Sequence, residues 1–291
     1  MFIPSHITGF FKITRHENLL KTGSTGAGIT LNRGVSTKLV EGSGNVYFND
    51  EKIDLCPSKD VIHYLGLKNE LKHDISYISD FPLGCGMGTS GCCALGAAYE
   101  LSSTYNFKNM QNDIDRSNLD NKKDESDISE LVKIAHKAEV RCNTGLGDVI
   151  AQHTKGFVIR KSPGFPIGVE SVDIKNMDEY NVLVDIFGKK ETDTVINDPS
   201  WIEKINVTSD ELLGKLLKKP TLENFMELSY YFAKNTGLAS EEIIEICDDL
   251  RFTAGASQAM LGNAIFCICK DEELNDAVSI LSNPVVCKIY K

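Results

Sequence analysis

Long apolar runs are missing from this sequence. No stretch approaches the roughly eighteen apolar residues that a membrane-crossing helix needs, so an integral membrane protein is not expected. The start, Met1-Phe2-Ile3-Pro4-Ser5-His6, has neither a basic leader nor an apolar core of signal-peptide length, and the expected location is cytoplasmic. Positive charge is also scarce: 31 Lys and Arg face 41 Asp and Glu, a formal charge of −10, with no Lys/Arg stripe. Phosphate backbones demand a positive footprint, so nucleic-acid binding is excluded as a class and no nucleic-acid or membrane partner is expected. An anionic small molecule needs only a few converging cations, for which His6, Arg15, Arg33, Arg160 and Lys161 are the candidates. The nine cysteines are odd in number, include no Cys-x-x-Cys pair, and place Cys92 beside Cys93. Disulfide frameworks and structural zinc both fit poorly, and free thiols are the simplest expectation. Asn206-Val207-Thr208 matches a glycosylation acceptor, which carries no meaning without secretion. The Walker A pattern and the motifs of protein kinases are absent. A calcium loop beginning at Asp113 and Asp115 would need glycine where Asn118 stands and a closing Glu that never arrives.

What remains is a chain of 291 residues, 42% hydrophobic and 25% charged, the balance of a globular protein with room for two cores. The first fifty residues read as strands, with β-branched composition over 27–40 and Val46-Tyr47-Phe48 running into the turn Asn49-Asp50. A further strand, Asp74 to Phe81, leads to Pro82 and a glycine cluster, after which 92–101 has the small residues of a close-packed helix. Residues 106–126 turn to Asn, Asp and Lys and read as a solvated excursion. Helical spacing returns over 129–140, with Leu131, Ile134, Ala135 and Ala138 on one face, and ends at the turn Asn143 to Asp148. A new unit is expected near 170, with a strand through Val182, Val184 and Ile186. Helices are expected at 209–218 (Thr208 and Glu211 as a capping box), 221–236, 240–250 and 271–282, and a last strand at 285–290. The expected architecture is α+β in two domains, 1–169 and 170–291, with a cleft between them.

The sharpest local feature is Pro82-Leu83-Gly84-Cys85-Gly86-Met87-Gly88-Thr89-Ser90-Gly91. Glycines let backbone N–H groups crowd around a phosphate, and a helix start directly afterwards adds favourable partial charge. Gly84, Gly86, Gly88, Thr89, Ser90 and Gly91 are therefore the candidate ATP-phosphate residues. Gly86-x-Gly88-x-x-Gly91 also matches the dinucleotide fingerprint, but the acidic residue that should close a second strand falls in the polar excursion. A tight turn with no ligand is the plain alternative.

Pro-x-x-x-Gly-x-Gly-x-Ser followed by an Ala-rich helix resembles the second motif of the GHMP kinases. Pro4 to Phe11 stands where that superfamily has its first motif, and Ala254-Gly255-Ala256-Ser257 where it has its third, so the likeness spans nearly the whole chain in order. The archaeal pantoate kinase branch is more similar still, through Pro4 to Phe11, Gly23 to Gly28, Gly145 to Gln152 and Ala259 to Asn263. The resemblance implies a two-domain GHMP-type fold, ATP and Mg²⁺, pantoate as the acceptor on the way to coenzyme A, and a homodimer. Two departures stand out: His6 replaces the usual Lys, and Ser257-Gln258-Ala259-Met260 replaces a run of glycines, where Met and Ala read as core packing.

Phosphoryl transfer needs positioning, charge neutralisation and a partner for the attacking hydroxyl. Asp148, after its glycine turn, is the candidate to orient or deprotonate that hydroxyl; the alternative is a helix-capping carboxylate. Glu139 with Ser90 is the candidate pair for Mg²⁺, against a solvated helix Glu. His6 is assigned to catalysis and substrate binding, against a structurally satisfied histidine. Arg160 is assigned to the substrate carboxylate, against a surface arginine, and Thr8, Ser24 and Thr25 to the substrate pocket. Rival readings are another GHMP kinase acting on homoserine, shikimate or mevalonate, a non-catalytic sensor of ATP or a metabolite, and a dinucleotide-dependent oxidoreductase.

Overall fold

The computed structural model describes residues 1–105, 123–188 and 193–291. Most of the polar segment 106–126, with Asp113, Asp115 and Asn118, lies outside the described residues. The first part of the chain runs β1 (Phe2–Thr14), β2 (Gly23–Glu41), β3 (Val46–Phe48), β4 (Glu51–Ile53), α1 (Cys56–Tyr64), β5 (His73–Ser79), α2 (Thr89–Thr104), α3 (Lys123–Arg141), α4 (Asp148–Thr154), β6 (Phe157–Arg160) and β7 (Val169–Val172). The second runs β8 (Tyr180–Gly188), α5 (Asp193–Ile196), α6 (Pro199–Ser209), α7 (Leu212–Lys218), α8 (Leu222–Thr236), α9 (Glu241–Asp249), β9 (Gly255–Gln258), β10 (Asn263–Lys270), α10 (Leu274–Ile280) and β11 (Val285–Cys287). The fold is the expected α+β mixture.

Seven strands form the first sheet, in the order β4-β3-β5-β2-β6-β7 with β1 added along β2. The long β2 carries β1 on one edge and both β5 and β6 on the other, since Val35 pairs with Ile3 and Ser79 while Ala27 pairs with Phe10 and Ile159. The gap between β5 and β6 is filled by the end of the chain: Asn32 N–H donates to Lys288 carbonyl and Tyr290 N–H to Thr30 carbonyl. The second sheet is antiparallel, in the order β11-β8-β10-β9.

Both faces of the first sheet are covered, which explains why β1 and β2 show nearly continuous burial rather than alternation. On one face α1, α2 and α3 pack through Val61, Leu95, Ala98, Leu131 and Ala135. On the other, Phe225 of α8 touches Phe10 and Phe157 of the first sheet and Phe266 of the second. One ring thus joins both sheets in a single apolar cluster, and such a side chain is worth about 3–5 kcal/mol against alanine. The first sheet takes in β7, whose first residue is Val169, so a division between 169 and 170 falls inside a strand.

Several expectations are corrected. Cys56 and Cys142, 86 residues apart, form a disulfide that ties the start of α1 to the end of α3, so the thiols are not all free. Thr208 does not cap a helix: it lies inside α6 and its hydroxyl donates to the Lys204 carbonyl, while α6 itself starts from an Asp198 cap that accepts Ser200 and Trp201 N–H. Gly23 to Gly28 is the first part of β2, and the residues after 254 form β9 and β10. The amide of half-buried Asn206 accepts Ile13 N–H and donates to the Ile13 carbonyl.

Candidate active site

The glycine cluster joins β5 to α2. Gly84, Gly86 and Gly88 have φ of +78°, +86° and +61°, while Cys85 and Met87 between them are fully buried. Alternating the sign of φ is the backbone pattern that turns successive N–H groups toward one point, and only glycine takes the positive values without strain. Cys85 and Met87 anchor the turn in the core, and His6 N–H donates to the Met87 carbonyl at 3.0 Å. The turn then opens directly into α2, with Gly88 as its N-terminal cap residue.

β1 carries two irregularities, between Pro4 and His6 and between Thr8 and Phe10, which bracket the His6 to Thr8 segment. Bulges of this kind re-aim side chains beside sites. His6 is fully buried, with the ring against Gly28, where a Cβ would collide with Nε2. Its Nδ1 donates to Asp148 Oδ1 at 2.7 Å, and Arg160 Nη1 approaches Nε2 at 3.4 Å. Burial lowers the His6 pKa, the Asp148 carboxylate opposing this, and the neutral Nδ1–H form suits both contacts. The positive charge behind Asp148 therefore comes from Arg160, which burial pushes down to about 10 and which remains cationic at neutral pH. Arg160 is 1% exposed, and its Nε, without a partner, and Ser24 Oγ both crowd the space beside Gly147 that a Cβ there would take. The surface reading of Arg160 is excluded.

Asp148 is the first residue of α4, and its side chain turns to His6 rather than capping the helix. Glu139, 2% exposed, is not solvated: Thr144 Oγ1 donates to its Oε1 at 2.7 Å and Ser90 Oγ to its Oε2 at 3.1 Å. Burial raises its pKa to about 8, with the nearby Asp148 charge adding to the rise. Gly145 sits between the two carboxylates, where any Cβ would press on Glu139 and come within 3.3 Å of Asp148 Oδ2.

The cleft is lined by Thr8 and Phe11 of β1, Ser24 of β2, Gly84, Gly86 and Gly88 to Ser90 of the glycine turn, Thr144 to Asp148, Ile196, Met260 and Leu261. Of the sequence candidates, Thr8, Ser24, Gly84, Gly86, Gly88, Thr89, Ser90 and Asp148 meet there. His6, Glu139 and Arg160 stand directly behind it in contact with its lining, as the bonds above show. Thr25, next to Ser24 on a strand, faces the other side of the sheet, and Gly91 faces α4; neither lines the cleft. Arg15 is engaged by Ile196 and Asn197, Arg33 by Asp80 and Lys161 by Glu170, so among the candidate cations only His6 and Arg160 converge.

Three participants were not singled out from the sequence. Thr144 holds Glu139. His136, one turn before Glu139, is 1% exposed and donates Nε2–H to the Thr22 carbonyl at 2.9 Å, two residues before Ser24. Met260, read as core packing, is both buried and part of the cleft, and its N–H donates to the Thr8 carbonyl at 3.1 Å. The spacing of His136 and Glu139 on one helix was the signal available for the second of these.

Residues 59–156 match the family model described as GHMP kinases N terminal domain. The chain is 51% identical to a pantoate kinase of Methanocaldococcus jannaschii, over 100% of both chains. A solved structure titled as a phosphotransferase related to the CoA biosynthesis pathway superposes with a TM-score of 0.80 at 31% identity, covering 99% of this chain and 95% of that one. The mevalonate kinase of Methanococcus jannaschii shares the fold, with a TM-score of 0.67 at 16% identity over 100% and 98%.

Proposed function

The chain belongs to the GHMP kinases, in the branch of the pantoate kinases, and from this we propose that it transfers the γ-phosphoryl group of ATP to the primary hydroxyl of pantoate, yielding 4-phosphopantoate for coenzyme A synthesis. The observation that carries the chemistry is the convergence at one cleft of the glycine turn, Ser90 and Asp148, with Glu139 and His6 bonded to the last two from behind.

The N–H groups of the turn and of the first turn of α2 serve as donors to the ATP phosphates. Glu139 and Ser90 offer hard oxygen ligands, and a carboxyl buried this deeply, with no cation bonded to it among the described residues, is a fitting holder for a divalent ion. Mg²⁺ bound there supplies charge neutralisation for the β- and γ-phosphates. Thr144 keeps the Glu139 carboxylate turned toward Ser90. Asp148 accepts the proton of the attacking hydroxyl, while His6 holds the carboxylate in orientation and Arg160 stabilises its charge from behind. Ser24 and the unpartnered Nε of Arg160 suit the pantoate carboxylate. Phe11, Ile196 and Met260 form an apolar wall suited to the two methyl groups that flank the reactive carbinol. The net charge of −10 and the lack, among the described residues, of any helix long and apolar enough to cross a membrane support a cytoplasmic enzyme without nucleic-acid or membrane partners. The homodimer implied by the family is tested by light scattering.

The deciding experiment follows ADP release with ATP, Mg²⁺ and pantoate, homoserine, shikimate or mevalonate as acceptor. Turnover with pantoate alone is expected. A different preferred acceptor would retain the kinase and refute the substrate, and ATP binding with no acceptor turned over would favour a sensor.

A further inference from the structure

We propose that Gln152 is a positioning residue for phosphoryl transfer, locking the glycine turn to the helix that carries Asp148; the inference rests on the kinase reading above. Gln152 lies one turn beyond Asp148 on α4, so both side chains share the face that meets α2. It is 1% exposed, and its Nε2 donates to the Gly88 carbonyl at 2.7 Å, with Cys92 Sγ at 3.1 Å. The same carbonyl accepts Cys92 N–H at 3.1 Å, the first regular bond of α2. Gly88 is the left-handed residue from which α2 springs, and no side chain caps that helix start. The Gln152 amide is therefore the one side chain among the described residues that bonds the turn at this carbonyl.

The two glycines around it have a matching explanation. A Cβ on Gly88 would come within 2.8 Å of Gln152 Nε2 and 3.2 Å of Asp148 Cβ, and a Cβ on Gly91 within 2.9 Å of Gln152 Oε1. Gly91 looks like part of a phosphate fingerprint but serves to let α4 lie against the first turn of α2. Gln152 Oε1 is buried without a partner, a cost that an apolar residue of the same length would avoid. A residue kept only for packing would be apolar here. The arrangement makes the amides of Thr89 and Ser90 and the Asp148 carboxylate move as one body, fixing the distance between the phosphate donors and the base.

The test uses the full-length enzyme with Gln152→Met, which keeps length and loses the donor, and Gln152→Glu, which opposes a carboxylate to the Gly88 carbonyl. Initial rates are measured against ATP and against pantoate, with thermal unfolding alongside. Gln152→Met is expected to raise KM for ATP about tenfold, equal to one lost hydrogen bond, while KM for pantoate stays within about twofold and the unfolding temperature does not fall. In Gln152→Glu the new carboxyl can donate only when protonated, so KM for ATP should drop as pH is lowered from about 8 to about 6, with a steeper change than in the native enzyme. Unchanged KM for ATP in both variants would overturn the proposal. So would a parallel rise of both KM values with a lowered unfolding temperature, since that marks a packing role alone.

Discussion

The cleft has a polar wall, where α4 presents Asp148 with Glu139 of α3, His6 and Arg160 immediately behind, and an apolar wall, where the segment after β9 presents Met260 and Leu261 and α5 presents Ile196. The first wall buries a carboxyl, an imidazole and a guanidinium at no more than 2% exposure each. Taking such groups from water costs free energy that their mutual contacts return only in part. The second wall buries carbon and costs nothing of the kind. The chemistry therefore sits on the side where the sheet and α2 enforce an unfavourable arrangement, and substrate fit sits on the side where side chains can be exchanged at ordinary packing cost.

The comparison breaks first at Asp148. Asp148→Asn keeps an acceptor for His6 Nδ1–H but removes the base, and kcat should fall by roughly 10² to 10⁴ with ATP affinity retained, measured by ADP release and calorimetry. A loss under about tenfold would remove Asp148 from the role of base. Next is Glu139→Gln, expected to reduce kcat/KM by about 10² and to raise the Mg²⁺ concentration needed for half-maximal rate. Because the burial that raises the carboxyl pKa to about 8 no longer acts on an ionisable group, the variant should unfold at a temperature no lower than the native enzyme. Activity lost without stability lost is the signature of the first wall; a large fall in stability would contradict it.

A third measurement addresses pH. Burial lowers the His136 pKa to about 4 from an ordinary value near 6.5. The unfolded chain binds this proton more readily than the folded one, so below the ordinary value unfolding takes up protons and stability falls as pH falls toward 4. The site should cost about 2 kcal/mol between pH 7 and pH 5, read from urea unfolding. In His136→Gln, which can still donate toward Thr22, that slope should flatten by the same amount. His6, also lowered by burial, acts in the same direction and remains in the variant.

What the sequence revealed follows from the range of each interaction. The glycine turn was legible because positive φ is written into the residues themselves, and Asp148 because a glycine turn precedes it. The helix 221–236 was legible from Gly237 at its end, while Thr221, counted as its first residue, is its N-terminal cap in the structure. Tertiary facts were not. The apolar stripe of α3 reads Leu131, Ile134, Ala135 and Ala138, and nothing local shows that Glu139 beside it is covered by Thr144 and Ser90. The Cys56–Cys142 bond spans 86 residues and depends on α1 meeting the end of α3. Thr208 with Glu211 matched a cap pattern, but the stronger start at Asp198-Pro199 carried the helix through it, and that signal was present to be read. Strand β10 escaped the alternation test because it is buried on both faces.

The smallest expected effect sharpens the second wall. If Met260, Phe11 and Ile196 receive the two methyl groups of pantoate, an acceptor lacking both methyls, 2,4-dihydroxybutyrate, should react with a kcat/KM lower by about 10- to 200-fold. The informative quantity is the interaction between substrate and side chain. In Met260→Ala the native advantage of pantoate should shrink by roughly tenfold, because the shorter side chain no longer fills the space the methyls complete. kcat with the smaller acceptor should change little, since the Asp148 carboxylate is held by His6 rather than by the Met260 side chain. Should Met260→Ala slow both acceptors equally, the residue acts through its neighbours in the core and through the Thr8 carbonyl that its N–H engages, and the division of labour between the two walls fails at this position.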